Sequence, residues 1–272
     1  MLSAIRATGK PLSDHTFLFL GAGEAGVGIG ELIALAIASE AQCSLQQARR
    51  RCCFVDSKGL VVQSREGLQE HKKAFAHAMP AAPSLLAAVR ALLPSVLIGV
   101  STAAGAFDQD VLQAMAAHNE RPIVFPLSNP TQLSECTFRD ALKWTNGRVL
   151  FASGSPFAPE ANAKGVTVHP AQANNAYVFP AVGHAAMLSQ ASSIPDEVFL
   201  VAARVLARAT SKSALERGWI FPSFDDILAT SKAIMRACCE YFEASGLGCK
   251  PGTSWSRRIE ESGWVPAPPS KL

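Results

Sequence analysis

Gly21, Gly23 and Gly26 stand at the spacing G-x-G-x-x-G inside Thr16–Gly30, TFLFLGAGEAGVGIG. A turn of this kind suits a pyrophosphate. One glycine allows the tight turn, one lets the backbone approach the phosphates, and one lets the next helix pack closely on the strand. A helix starting near Glu24 and Ala25 would aim its free backbone N–H groups and positive dipole end at the anion. The spacing also closes ordinary strand–helix units, but the apolar strand before it and the long apolar helix after it favour a dinucleotide site. Asp56 follows the apolar run Cys52–Val55, the place where an acidic side chain meets the adenosine ribose in a doubly wound sheet. Asp56-Ser57-Lys58-Gly59 is equally good turn chemistry, and the residues alone leave both readings open. Arg65, Lys72 and Lys73 are cations that could hold a ribose 2′-phosphate or line a solvated loop. Ser101, Thr102 and Ala103 belong to a small-residue turn that could lie under a nicotinamide or a phosphate. Asn129 follows another strand, and Asn174 with Asn175 precedes an apolar helix, where paired amides are ordinarily caps and turns.

The elements that must place these groups alternate. Strands are expected at Thr16–Leu20, Cys52–Val55, Val96–Val100, Ile123–Leu127 and Val149–Ala152. Helices are expected at Ala25–Ala41, after a Ser44–Gln47 capping box, at Ser84–Leu93, and from an Asp108 cap to about Ala117. That alternation predicts an α/β fold, a Rossmann-type doubly wound parallel sheet with helices on both faces. Beyond it, Asp196–Ala209, Ser211–Arg217 and Asp225–Ser245 form a helical C-terminal extension. Residues 1–15 read as the remnant helix and linker of an upstream domain, 16–246 as one domain without an internal linker, and 247–272 as an extended tail.

Composition narrows the classes. Apolar residues make up 49% and charged residues 17% of 272 residues, the balance of a folded domain rather than a disordered chain. No apolar run is long enough to span a bilayer, so no membrane partner is expected. The net charge of +3 is scattered, which gives no footprint for nucleic acid. Seven cysteines occur without C-x-x-C or metal-type spacing. They suggest free thiols in a reducing, intracellular compartment: the cytoplasm, or an organelle such as the chloroplast or mitochondrion.

Six segments in order, FLFLGAGEAGVGIGELIA, FVDSKGLVV, KKAFAH, NERPIVFPLSNPT, FASGSPF and AQANNAYVFP, resemble those of malic enzymes of the eukaryotic type. The resemblance covers Leu12–Gly246 and is far more specific than the glycine spacing. It implies oxidative decarboxylation of L-malate to pyruvate and CO₂ with reduction of NADP⁺, NAD⁺ being the other possibility, and Mg²⁺ or Mn²⁺ in the complete enzyme. It implies a homo-oligomer as well. By the same resemblance Gly21, Gly23, Glu24, Ala25 and Gly26 match the phosphate turn, and Asp56 matches the ribose-side acid. Ser57 and Lys58 look like the NADP version of that loop. Lys72 and Lys73 match the basic pair near the 2′-phosphate, with Lys73 favoured as the closer contact. Asn129 matches the asparagine at the substrate–nicotinamide junction, and Asn174, beside Asn175, the one that contacts the malate carboxylate.

The sequence also departs from the family. The Ser101–Gly105 turn has fewer glycines than many relatives, and Ala171 stands where glycine is usual. The family's general acid, general base, malate-binding arginine and metal carboxylates lie upstream of the segment matching Leu12, so no catalytic or metal residue is assigned here. Tyr177 and Tyr241 are outside the catalytic-tyrosine motif. Asp225–Asp226 and Glu260–Glu261 read as a helix start and a solvated tail rather than metal ligands. Two readings follow: the cofactor half of an NADP-dependent malic enzyme, or a catalytically silent stand-alone NAD(P)-binding module. An amino-acid dehydrogenase sharing the glycine fingerprint would not explain the SNPT and QANNAY segments.

Overall fold

The computed structural model describes residues 1–162 and 165–263. From the amino terminus come α1 (Leu2–Thr8), β1 (Phe17–Leu20), α2 (Glu24–Ala41), α3 (Leu45–Arg49), β2 (Cys52–Asp56), β3 (Gly59–Leu60) and α4 (Glu70–Lys73). Then follow α5 (Leu85–Leu92), β4 (Val96–Gly99), α6 (Gln109–His118), β5 (Ile123–Pro126), α7 (Phe138–Trp144) and β6 (Leu150–Ser153). The short strands β7 (Glu160–Ala161), β8 (Thr167–Val168) and β9 (Ala171–Gln172) precede α8 (Phe179–Leu188), α9 (Asp196–Ala209), α10 (Lys212–Glu216), α11 (Ile227–Ala244) and α12 (Trp255–Glu261).

The chain divides into two compact units rather than the single expected domain. The first comprises Met1–Asn174 with Thr210–Phe221, and the second comprises Asn175–Ala209 with the chain from Pro222 onward. In the first unit the sheet runs β3-β2-β1-β4-β5-β6-β9. Neighbours are parallel except β2 and β3, which are antiparallel across the Asp56–Gly59 turn. Strand order reverses between β1 and β4, and in sheets of this kind the crevice beyond the carboxyl ends at that reversal takes the ligand.

Both faces of the sheet are covered, so its strands are continuous apolar runs rather than alternating ones. On one face Leu18, Leu97, Val124 and Phe151 pack with Val89, Leu112, Met115 and Leu142 of α5, α6 and α7. On the other, Phe19 stacks on Phe54 at 4.5 Å, and Phe54 meets the edge of Phe75 at 4.9 Å. Local signals act as expected at three helix starts. Ser44 and Gln47 close a capping box, Ser84 caps α5, and Asp108 accepts the Val111 N–H at the start of α6.

One of the two expected end boundaries is corrected. The helix read in residues 1–15 is present as α1, and it packs into the first unit: Ser3, Ala4 and Ile5 are buried, and Arg6 donates to the Thr210 carbonyl at 3.2 Å. The region read as an extended tail contains α12, capped by Ser254, with Trp255 and Ile259 buried and the Trp255 Nε1–H donating to Glu243 at 2.8 Å. Its proline-rich end, from residue 264, lies outside the described residues. In this second unit α11 is the central helix, and Ile234, Cys238, Cys239 and Phe242 line its buried side. Burial pushes the Cys239 and Cys238 thiols up to about 11 and about 12, which leaves them protonated and unreactive.

Candidate functional site

Because β1, β2, β4, β5, β6 and β9 are parallel, the loops leaving them share one edge of the sheet. That edge gathers Gly21–Gly26, Asp56–Lys58, Ser101–Ala103, Asn129, Ser153–Ser155 and Asn174. Gly21 has φ +109°, and a Cβ there would lie 2.6 Å from the Val100 carbonyl oxygen, so the turn can form beside β4 only without a side chain. A Cβ on Gly26 would meet the Gly21 oxygen at 2.7 Å. Gly23 is the start of α2; open space surrounds its Cβ position, and no side chain caps the helix. Glu24, Ala25 and Gly26 form the first turn of α2, whose leading N–H groups have no intrahelical acceptor and suit an anion. Packing of this helix on the strands also needs Gly30, where a Cβ would sit 2.7 Å from Phe54 Cζ.

Asp56 takes the turn role and also stands at the carboxyl end of β2 among cations. Its Oδ1 accepts the Lys58 N–H at 2.9 Å, an Asx-type turn into β3. Its Oδ2 accepts from Lys72 Nζ at 2.9 Å and from Arg65 at 3.1 Å. All three side chains are largely enclosed, at 12%, 18% and 15% exposure for Asp56, Arg65 and Lys72. Burial alone would raise the Asp56 carboxyl, but the hydrogen bonds from Arg65, Lys72 and the Lys58 N–H overcome it and hold the pKa at about 2. Lys73 points elsewhere. It pairs with Glu70 and lines a separate cleft with Gln46, Arg49, Arg50 and Gln63. The structure thus brings Lys72 to Asp56 and leaves Lys73 and the Lys58 side chain facing solvent. His71, on the same short helix α4, reaches the glycine turn through the Ala22 carbonyl at 3.1 Å.

At the other end of the edge the turn after β4 is tied inward. Ser101 N–H and Oγ both reach Glu135 Oε1, at 3.1 and 3.2 Å, while Thr102 N–H donates to Ser128 Oγ at 2.9 Å and Ala103 N–H to Ser101 Oγ at 3.2 Å. These amides are therefore already satisfied, so the turn would meet a ligand with its carbonyls and side chains. Thr102 takes the left-handed conformation at φ +57°, which disfavours a β-branched residue. Asn129 Oδ1 accepts from Ser155 Oγ at 2.6 Å, and Gly154 fits only because it lacks a Cβ, which would lie 2.6 Å from Asn129 Nδ2. Gln172 donates to the Gly154 carbonyl at 3.3 Å, and Asn174 follows two residues on, so the loops after β5, β6 and β9 are linked. Ala171 is absorbed in β9, opposite Ala152. Asn175 opens a turn of 3-10 helix in the second unit, where Tyr177 donates to the Pro222 carbonyl at 2.7 Å. Among the described residues no group of three or more His, Cys, Asp or Glu side chains could hold a metal ion, and no helix is long and apolar enough to cross a membrane.

His71, Ser128 and Glu135 join this edge without having been picked out from the sequence, and Arg65, one of the three cations weighed for a 2′-phosphate, joins it too. Arg65 had a signal, as one of the cations beyond β2. Glu135 had none, since one glutamate in a polar stretch looks like a surface residue.

A crevice of this kind, with a bare helix start on one side and an acid at the end of the next strand, belongs to a Rossmann-type nucleotide-binding domain. The comparisons make the class specific. A family model described as the malic enzyme NAD-binding domain matches residues 1–242, and the chain belongs to that family. It is 48% identical over 236 residues to an NADP-dependent malic enzyme of Vitis vinifera, covering 86% of this chain and 40% of that protein. With a chloroplastic NADP-dependent malic enzyme of Solanum lycopersicum the identity is 46% over 245 residues, covering 89% and 42%. Among solved structures, the malic enzyme of Entamoeba histolytica superposes with a TM-score of 0.73 at 20% identity, covering 96% of this chain and 49% of that one. That of Pyrococcus horikoshii gives 0.70 at 21% identity, covering 96% and 56%; likeness at this identity speaks for the fold. The chain spans about two fifths of the length of the curated relatives it matches, 40% and 42% of the two named here.

Proposed function

We propose that this chain is the cofactor-binding half of an NADP-dependent malic enzyme, which converts L-malate to pyruvate and CO₂. The observation that carries the NADP preference is the Asp56–Lys72–Arg65 cluster at the end of β2, one strand from the glycine turn. Two enclosed cations beside the ribose-side acid suit a 2′-phosphate, which a lone acid would repel. In this reading Gly21, Gly23, Glu24, Ala25 and Gly26 hold the pyrophosphate on the α2 amino end. Asp56, Ser57, Lys58 and Lys72 hold the adenosine ribose and its phosphate. Ser101, Thr102 and Ala103 support the nicotinamide side, and Asn129 and Asn174, beside Asn175, orient the substrate. When bound, the cofactor supplies the hydride acceptor.

The described residues offer no cage for Mg²⁺ or Mn²⁺. Tyr177 is engaged with a carbonyl, and burial raises its pKa, which does not suit proton transfer near neutral pH. The resemblance assigns no acid, base or metal ligand to these residues, and a silent NAD(P)-binding module stands as the second reading. Seven free thiols suit a reducing compartment, whether cytoplasm or an organelle such as the chloroplast or mitochondrion, and the complete enzyme would assemble as a homo-oligomer. Calorimetric titration of the purified chain with NADP⁺ and NAD⁺ tests the cofactor assignment: NADP⁺ should bind the more tightly. A malate-oxidation assay with Mn²⁺ should show no turnover by this chain alone, and robust turnover would overturn the division of labour.

A further inference from the structure

Glu135 is fully buried, at 0% exposure, yet among the described residues no cation pairs with it. Its partners are neutral donors from two different loops. Oε1 accepts the Ser101 N–H, the Ser101 hydroxyl and the Ser128 hydroxyl, while Oε2 faces the Ser128 N–H at 3.4 Å. Each serine hydroxyl also accepts a backbone N–H, from Ala103 and Thr102 respectively, so its own proton is free to point at the carboxylate. The result is a chain of one polarity that converges on Glu135 from both sides. Gly99, the last residue of β4, leaves the room: a Cβ there would lie 2.3 Å from Glu135 Cδ. The loops joined in this way follow β4 and β5, strands of the half-sheet that takes the nicotinamide nucleotide in a doubly wound fold. Asn129 is the next residue after Ser128.

We infer that Glu135 is a positioning residue for the nicotinamide half of the cofactor, locking the Ser101–Ala103 turn and the Ser128–Asn129 turn into one surface. The inference rests on the cofactor reading proposed above. Gly21 packs beside Val100 and Ser101, but among the described residues no hydrogen bond joins the adenosine half, at Gly21–Gly26 and Asp56, to this network, so the two halves of the ligand can be read separately.

The test is calorimetric titration of the full chain and of Glu135→Gln and Ser128→Ala with two ligands, NADP⁺ and 2′,5′-ADP, the second carrying the adenosine and 2′-phosphate but no nicotinamide. Glutamine keeps one acceptor but turns an amide donor toward the Ser128 N–H. Both variants should lose NADP⁺ affinity by about tenfold, the effect of one misplaced charge-assisted hydrogen bond, while 2′,5′-ADP affinity stays within about twofold. If Glu135→Gln does not fold, Ser128→Ala decides, since it removes one hydroxyl and leaves the carboxylate in place. Equal losses for the two ligands, or no loss for either, would overturn the positioning role and leave the cofactor reading standing. Failure of the unsubstituted chain to bind either ligand would overturn both.

Discussion

Asp56 and Glu135 are carboxylates on the same edge of one sheet, and they are compensated in opposite ways. Asp56 faces Lys72 and Arg65, long side chains with many rotamers, and keeps some exposure. Glu135 faces backbone N–H groups and serine hydroxyls, with no exposure at all. Arg65 also donates to the Gly59 and Leu60 carbonyls, but Lys72 can be shared with an arriving ligand at little cost. A carboxylate held by main-chain amides cannot change partners without unmaking two loops. The first arrangement recognises; the second shapes. In the proposed cofactor reading their order along the sheet follows the same division, with recognition at the adenosine end and shape at the nicotinamide end.

Removing each carboxylate should separate the two roles most strongly. Glu135→Ala strands several buried donors at once and should cost about 3 kcal/mol or more of folding stability. Asp56→Ala leaves Lys72 able to turn toward water and Arg65 still bound to the Gly59 and Leu60 carbonyls, and should cost about 1 kcal/mol. Urea unfolding of both variants checks this, and similar losses would erase the distinction. Gly99→Ala attacks the Glu135 site from behind, because the added methyl collides with an enclosed carboxylate. It should cost about 2 kcal/mol by overpacking, with 2′,5′-ADP binding unchanged in the folded protein.

The contrast also explains what the sequence could and could not reveal. Strands, caps and the glycine turn were legible because they depend on local pattern: apolar runs, a serine three residues before its amide partner, glycines at fixed spacing. The Asp56 position was legible from its place after a buried strand. Which lysine meets it was not, because Lys72 and Lys73 are adjacent and only the direction of α4 separates them. Glu135 was invisible because its meaning comes from Ser101 and Gly99, which are distant in the chain and adjacent across β4 and the following turn. The helix at Trp255–Glu261 was lost among the charged and proline-rich residues around it, although Ser254 supplies an ordinary cap. The division into two units was hidden as well, since Thr210–Phe221 returns to the first unit after the chain has entered the second.

At the recognition end the discriminating pair is Lys72→Ala and Lys73→Ala. Lys72 is 15% exposed against Asp56, whereas Lys73 is 58% exposed against Glu70. Lys72→Ala should weaken NADP⁺ binding about tenfold, with NAD⁺ affected by less than about twofold. Lys73→Ala should leave both within about twofold. Fluorescence titration with each nucleotide reads the outcome, and a larger effect at Lys73 would place the 2′-phosphate in the other cleft.

The smallest effect expected is in acid, and it bears on whether Asp56 carries its charge against those cations. Its pKa falls from 3.8 to about 2 on folding, so the unfolded chain binds this proton more readily than the folded one. Stability from Asp56 is therefore complete above about pH 4 and drains away as pH falls toward 2. Asp56→Asn has no such proton to bind. It should be the less stable protein at neutral pH, and its deficit should shrink steadily between pH 4 and 2, other carboxylates titrating alike in both. Thermal unfolding across that window measures the deficit. A gap that stays constant to pH 2 would mean that the carboxylate is held in place without its charge being used, making Asp56 a turn residue and leaving Glu135 as the one carboxylate on this edge with a built environment.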